Sequence, residues 1–205
     1  MKVTLLKNKK RAVEVVDVHM QSFAGFFLTF LGKGFLKQLY QGFMEHNRSG
    51  ILAAVGRNDR IVGFLAYSED LSGFYQYLIK KHLLTFSWYA FLGFVRNPKI
   101  CFRLFRAFFY SREAKRQEAY IELASLGVLP DMEGMGVGSR LIENLKRRAE
   151  GGKYQYIKLE TDSENNDRVN RFYVKNGFVL DHSYLTREGR KMNEYRFRIQ
   201  TEAFR

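Results

Sequence analysis

The sequence predicts an α/β fold built from short strands alternating with amphipathic helices, and three stretches carry that expectation. The first is Tyr120 to Ala149. Tyr120 to Leu129 is an aliphatic run stopped by Pro130, which cannot donate to a sheet ladder. A glycine turn follows, and then a helix with Val137, Leu141, Ile142, Leu145 and Ala149 on one face and Glu143, Asn144, Arg147 and Arg148 on the other. The second is Ile51 to Val55 and Ile61 to Tyr67, two apolar runs that read as a hairpin about the turn-forming Gly56-Arg57-Asn58-Asp59. The third is the C-terminal part, where a strand at Tyr154 to Glu160, a helix after Asn166 and a last hairpin about Gly189 follow one another.

Towards the N-terminus, Val3 to Leu6 reads as a first strand. Ala12 to Met20 carries Val13, Val16 and Met20 at helical spacing, and Lys33 to Glu45 carries Phe35, Leu36, Leu39, Tyr40 and Phe43 in the same way. The 205 residues suit one domain, 1–205, with a full core. Cys101 is the only thiol, which excludes an internal disulfide scaffold and makes a reducing, cytoplasmic compartment the simplest expectation. Basic residues follow the initiating methionine almost at once, with no secretory apolar segment.

Function enters at the turn. Gly134, Gly136 and Gly138 leave the backbone bare where the first N–H groups of the following helix lack intrahelical partners, an arrangement suited to a phosphate or pyrophosphate. A triphosphatase phosphate loop needs Lys-Ser or Lys-Thr after the last glycine, and Ser139-Arg140 stands there. A dinucleotide fold wants its glycines directly after the strand. Here six residues separate Leu129 from Gly136, although Glu160 half satisfies the requirement for a later acid.

Val128-x-Pro130 followed by Gly136-Val137-Gly138 and an amphipathic helix resembles the acetyl-coenzyme A site of the GNAT superfamily of N-acetyltransferases. A second block, Asn166 to Phe178, is similar to the family's Asn, Phe-Tyr and Gly-Phe series. The resemblance is strong over about Glu118 to Leu180. It implies a mixed, mostly antiparallel sheet of about six to seven strands flanked by helices, and acetyl-coenzyme A as co-substrate. Pantetheine would pair with backbone near Leu126 and Val128. Gly134, Met135, Gly136, Val137, Gly138 and Ser139 would hold the pyrophosphate, and Asn166 would bond the cofactor or cap its helix. Tyr173 falls at the position of the general acid that protonates the leaving thiolate, the alternative being a core tyrosine. Glu122 and Glu160 are the two candidates for general base, with water as a third. Glu133 departs from the family, which places Gln or Arg there, so it is expected to point away, pair with a base or weaken cofactor binding.

The resemblance also puts His19, Gln21 and the neighbouring phenylalanines beside the acceptor, against a plain reading as core. His19, His46, His82 and His182 are scattered without a ligand spacing, so no metal is expected.

One stretch exceeds the family's needs, a helical insertion over about 71–115. Of the forty residues Leu71 to Tyr110, thirteen are aromatic, six are Lys or Arg and none is acidic. Its longest uncharged run, His82 to Val95, has 14 residues, short of the roughly 18 a membrane-spanning helix needs. Packing on the sheet, a lid over the acceptor or a homodimer contact, and peripheral contact with an anionic bilayer at the inner face of the membrane all remain open. The formal charge of +13 favours anionic acceptors, and no nucleic-acid module accompanies it. The acceptor expected from this pattern is a small-molecule amine, an amino sugar on a nucleotide or lipid carrier in bacterial surface-polysaccharide synthesis. A protein amino terminus or lysine is the alternative, and a non-catalytic coenzyme A-binding or membrane-surface module is a third class.

Overall fold

A computed structural model describes residues 1–81, 118–150, 152–186 and 189–199. Its strands are β1 (Lys2–Leu5), β2 (Ser49–Val55), β3 (Ile61–Ser68), β4 (Tyr120–Val128), β5 (Tyr156–Asp162), β6 (Val179–Leu185) and β7 (Lys191–Arg198). Its helices are α1 (Ala12–Ser22), α2 (Gly32–Glu45), α3 (described over 71–81), α4 (Val137–Glu150) and α5 (Asp167–Lys175). One seven-stranded sheet runs β1-β2-β3-β4-β5-β7-β6, antiparallel except for β4 beside β5.

The β2–β3 hairpin forms at the predicted turn, where Asn58 and Asp59 take the left-handed conformation (φ 55° and 57°) that short polar side chains tolerate. Alternation along β3 divides the core between the two sheet faces. Phe64 packs against Tyr40 of α2 and His19 of α1, with ring centroids 5.0 and 6.5 Å apart. Gly63, one residue away, faces Val137 of α4, and Tyr67 faces Arg148 of the same helix. Helices α1 and α2 therefore cover one face of the sheet and α4 the other. Val15, Val16 and Val18 from α1, Phe35, Leu36, Leu39 and Phe43 from α2, and Leu141, Ile142 and Leu145 from α4 are all buried. Each such side chain contributes about 1.5–3 kcal/mol by leaving water.

The insertion begins as regular structure. Asp70 accepts a bond from the Gly73 N–H at 2.8 Å and so caps α3. Phe74 stacks on Phe43 at 4.0 Å, and Tyr77 and Lys81 both donate to Glu45 at the end of α2, at 3.0 and 2.6 Å. Over 71–81 the insertion is packed against α2. Residues 82–117 lie outside the described residues, and with them the lid, oligomer and bilayer readings. Among the described residues no helix is long and apolar enough to cross a membrane.

The parallel pair positions the site. β4 and β5 are in register only at Tyr120↔Tyr156, Ile121↔Ile157 and Glu122↔Lys158, although nine and seven residues are available. Beyond Glu122 the strands part. On its other edge β4 skips Ala124, since Ala66 pairs with Ser125 while Tyr67 pairs with Leu123. Such a bulge bends a strand and increases its twist. In consequence Ala124 is exposed in the middle of a central strand, with Ser125 and Leu126 half-buried beside it.

Candidate active site

At the open end of the splay stands the glycine turn. Pro130–Met132 forms one 3-10 turn, and α4 begins at Val137, as the apolar spacing predicts. Gly134 and Gly136 have φ of 76° and 75°, where an L side chain is strained, and a Cβ built on either meets nothing within 4 Å. The turn is thus an open cradle beside the first N–H groups of α4. Gly138 serves differently. A Cβ there would stand 2.9 Å from Cζ of Phe172, so this glycine sets how closely α5 approaches α4. Glu133 is ion-paired with Arg168 of α5 across the turn, one of the outcomes expected for it.

Asn166 does not cap α5 with its side chain, which corrects one of its two expected roles. Its amide donates instead to Thr161 Oγ1 at 2.8 Å and to the Asp162 carbonyl at 3.1 Å, at the end of β5. Asn170, which the sequence reading passed over, is the tie between α5 and the sheet. It donates to the carbonyls of Asp162 and Asn166 and accepts from Asn193 and Tyr195.

Tyr173 is buried on α5, edge-on to Phe178 at 5.9 Å and 6.3 Å from Tyr195. Burial raises the phenol well above its ordinary range. It is a held proton donor at neutral pH. Tyr195 pairs with Leu159, so Tyr173 lies on the α4 face of the sheet.

Glu122 lies on the opposite face. It pairs with Ser68, which continues the row of Phe64 and Ala66 beneath α1 and α2. Lys158, its partner on β5, reaches Glu122 at 3.6 Å, Glu160 at 2.9 Å and Glu194 of β7 at 3.9 Å. Both oxygens of Glu160 are engaged, Oε1 by Lys158 and Oε2 by the Tyr184 hydroxyl at 2.7 Å. Glu194 also accepts from Arg196 at 2.8 Å. Burial pushes the Glu122 carboxyl up to about 7 against the pull of Lys158, with Glu160 and Glu194 adding to the rise. Burial alone would lower the Lys158 ammonium, but Glu122, Glu160 and Glu194 outweigh it and hold the group above its ordinary value.

His19 is buried, with Nδ1 2.6 Å from the Tyr40 hydroxyl and Nε2 without a partner. Burial pulls the imidazole down to about 4, so it is neutral, a core histidine as the plain reading held. Gln21 is exposed and donates to the Asp17 carbonyl. Among the described residues, Asp181, His182 and Glu194 bring potential ligand atoms within 4.8 Å of one another. Arg196 already pairs with Asp181 at 3.0 Å and Glu194 at 2.8 Å, so these carboxylates hold a protein cation.

The family model "Acetyltransferase (GNAT) family" matches residues 20–178, and the chain belongs to that family. Three solved structures share its fold. A GNAT-family protein from Desulfovibrio desulfuricans is 14% identical, with a TM-score of 0.65 over 97% of this chain and 98% of its own. An aminoglycoside 6'-N-acetyltransferase complexed with coenzyme A is 14% identical, with a TM-score of 0.62 over 97% of each chain. The ribosomal-protein-S18-alanine N-acetyltransferase from Escherichia coli is 12% identical, with a TM-score of 0.59 over 100% of this chain and 98% of its own. No curated protein sequence matches the chain. The general activity of the family, acetyl-coenzyme A dependent N-acetylation, follows from membership.

Proposed function

We propose that this chain acetylates the primary amine of a cationic acceptor, an amino sugar, at the point where β4 and β5 part. The observation that carries this reading is the placement of Glu122 and Tyr173 on opposite faces of the sheet at that opening. The open cradle at Gly134 and Gly136 fits the pyrophosphate of acetyl-coenzyme A, with the N–H groups of Met135 to Ser139 as donors and Leu126 and Val128 as the backbone beside pantetheine. Bound there, acetyl-coenzyme A supplies an activated acyl group.

The amine attacks the thioester carbonyl carbon, an N–C bond forms and the C–S bond breaks. Glu122 takes the proton that the ammonium loses before attack, Tyr173 gives its phenolic proton to the departing sulfur, and the second N–H proton, shed as the amide forms, passes through solvent to restore the phenol. Of the two candidate bases Glu122 is favoured. It is half-buried with a raised pKa, whereas Glu160 has both oxygens occupied. Glu160 and Glu194 are engaged by Lys158, Tyr184 and Arg196, so Glu122 is the carboxylate of this face that would meet an acceptor arriving as a cation. A nucleotide- or lipid-linked sugar would have to direct its phosphates away from them.

Replacement of Tyr173 by Phe tests the reading. It keeps the ring that packs on Phe178 and Tyr195 and removes only the donor. Thiol release from acetyl-coenzyme A is followed over a panel of amino sugars and amino-terminal peptides. Turnover is expected to fall about 10²-fold or more with acetyl-coenzyme A binding retained. Unchanged turnover would remove Tyr173 from the mechanism, and turnover of peptides alone would replace the amino-sugar acceptor.

A further inference from the structure

The most unusual feature outside the turn is a single ammonium enclosed by three carboxylates on the acceptor face. Lys158 keeps only 9% of its side chain exposed, and Glu194 only 1%. A buried lysine is costly unless paired and is then held in one place. Its three distances are unequal, 2.9 Å to Glu160 but 3.6 Å to Glu122 and 3.9 Å to Glu194. The close bond goes to the carboxylate that Tyr184 also fixes, while Glu122 has the charge of Lys158 nearby at a longer separation.

We propose that Lys158 is a positioning residue for Glu122: anchored by Glu160 and Tyr184, it places a fixed positive charge across the β4–β5 pair that keeps the half-buried Glu122 carboxylate available as a proton acceptor. This inference rests on the reading of Glu122 as the base. Among the described residues, the groups facing Glu122 are Lys158 and Glu160 from β5, Glu194 from β7 and Tyr75 from α3, with Ser68 as the neutral neighbour on β3 and Arg196 of β7 behind them on Glu194 at 2.8 Å. Among the described residues Lys158 is the cation paired with Glu122. Without it, burial and two neighbouring carboxylates all act to protonate Glu122 at neutral pH. A first ammonium at this distance also disfavours the charged form of a second, so Lys158 makes an acceptor ammonium beside Glu122 easier to deprotonate.

Direct titration of the carboxyl tests this without any acceptor. Protein labelled with 13C at glutamate Cδ is followed by NMR against pH, and the Glu122 signal is identified as the one missing in Glu122→Gln. In the native chain that signal is expected to titrate near neutrality. In Lys158→Met its midpoint is expected to rise by about one pH unit or more. In Lys158→Arg, which restores the charge, it is expected to return towards the native position. A structural role alone would not separate the methionine and arginine variants in this way. A Glu122 midpoint that is the same in all three proteins overturns the proposal, as does a native Glu122 that titrates near 4. Lys158→Gln serves in place of the methionine variant should that one fail to fold. Loss of turnover in Glu122→Gln tests the base assignment separately, so the two failures are distinguishable.

Discussion

Glu122→Gln is expected to lower kcat/KM for acetyl transfer by about 10²–10⁴-fold, the range general base catalysis contributes. Glutamine keeps the shape of the side chain beside Lys158 and removes its proton affinity. Because the base works only when ionised, native kcat/KM should rise as pH rises through about 7 and level off above it. The limb should disappear in the variant. Acetyl-coenzyme A binding should not change, since the glycine turn and α4 stand on the other face of the sheet. Measurement of kcat/KM across pH 5.5 to 9 (about the range in which such groups titrate) with and without the substitution checks this. A limb that survives in Glu122→Gln would assign the base to another group, with Glu160 next in line.

Gly138→Val should give the second large effect. The new Cβ would meet Phe172 at 2.9 Å at Cζ and 3.3 Å at Cε2, with Leu126 at 3.6 Å behind it. The half-buried Phe172 ring, and α5 with it, must shift away from α4. Overpacking of this kind costs about 1–3 kcal/mol. Leu126 and Tyr173 belong to the same cluster, so acetyl-coenzyme A affinity and turnover should fall together. A denaturant melt and a binding titration on the same sample read both effects. A variant of native stability and affinity would show that the α4–α5 contact does not hold the site.

Much of this site could be read in the chain, and the reasons differ from residue to residue. The α4 helix was legible because its five apolar positions follow the helical period and Val137 is preceded by glycines. The β2–β3 hairpin was legible because Asn58 and Asp59 are suited to left-handed turns. Tyr173 stood out through its place in a local block. The charge network did not. Lys158, Glu160 and Glu194 come from β5 and β7, Glu122 comes from β4, and only strand pairing across gaps of more than thirty residues brings them together.

The net charge of +13 pointed towards anionic acceptors, whereas local packing gathers three carboxylates around Lys158 beside the opening, with Arg196 on one of them. Composition reports the whole surface, and a site is set by the few side chains that face it. Alternation along Lys158 and Glu160 was itself a usable signal, two charges on one face of a strand whose other face carries Ile157 and Leu159. The side-chain role of Asn166 was the reverse case. Asn before a helix usually caps it, but Thr161 and the end of β5 offer competing partners.

The central claim is that the glycine turn at the head of α4 binds acetyl-coenzyme A. Calorimetric titration of the native chain and of Gly136→Trp tests it most directly, with circular dichroism to confirm that the variant folds. Binding in the micromolar range is predicted for the native chain, and its loss in Gly136→Trp, whose side chain would fill the open cradle. Failure of the native chain to bind, or equal binding by both proteins, would contradict the account.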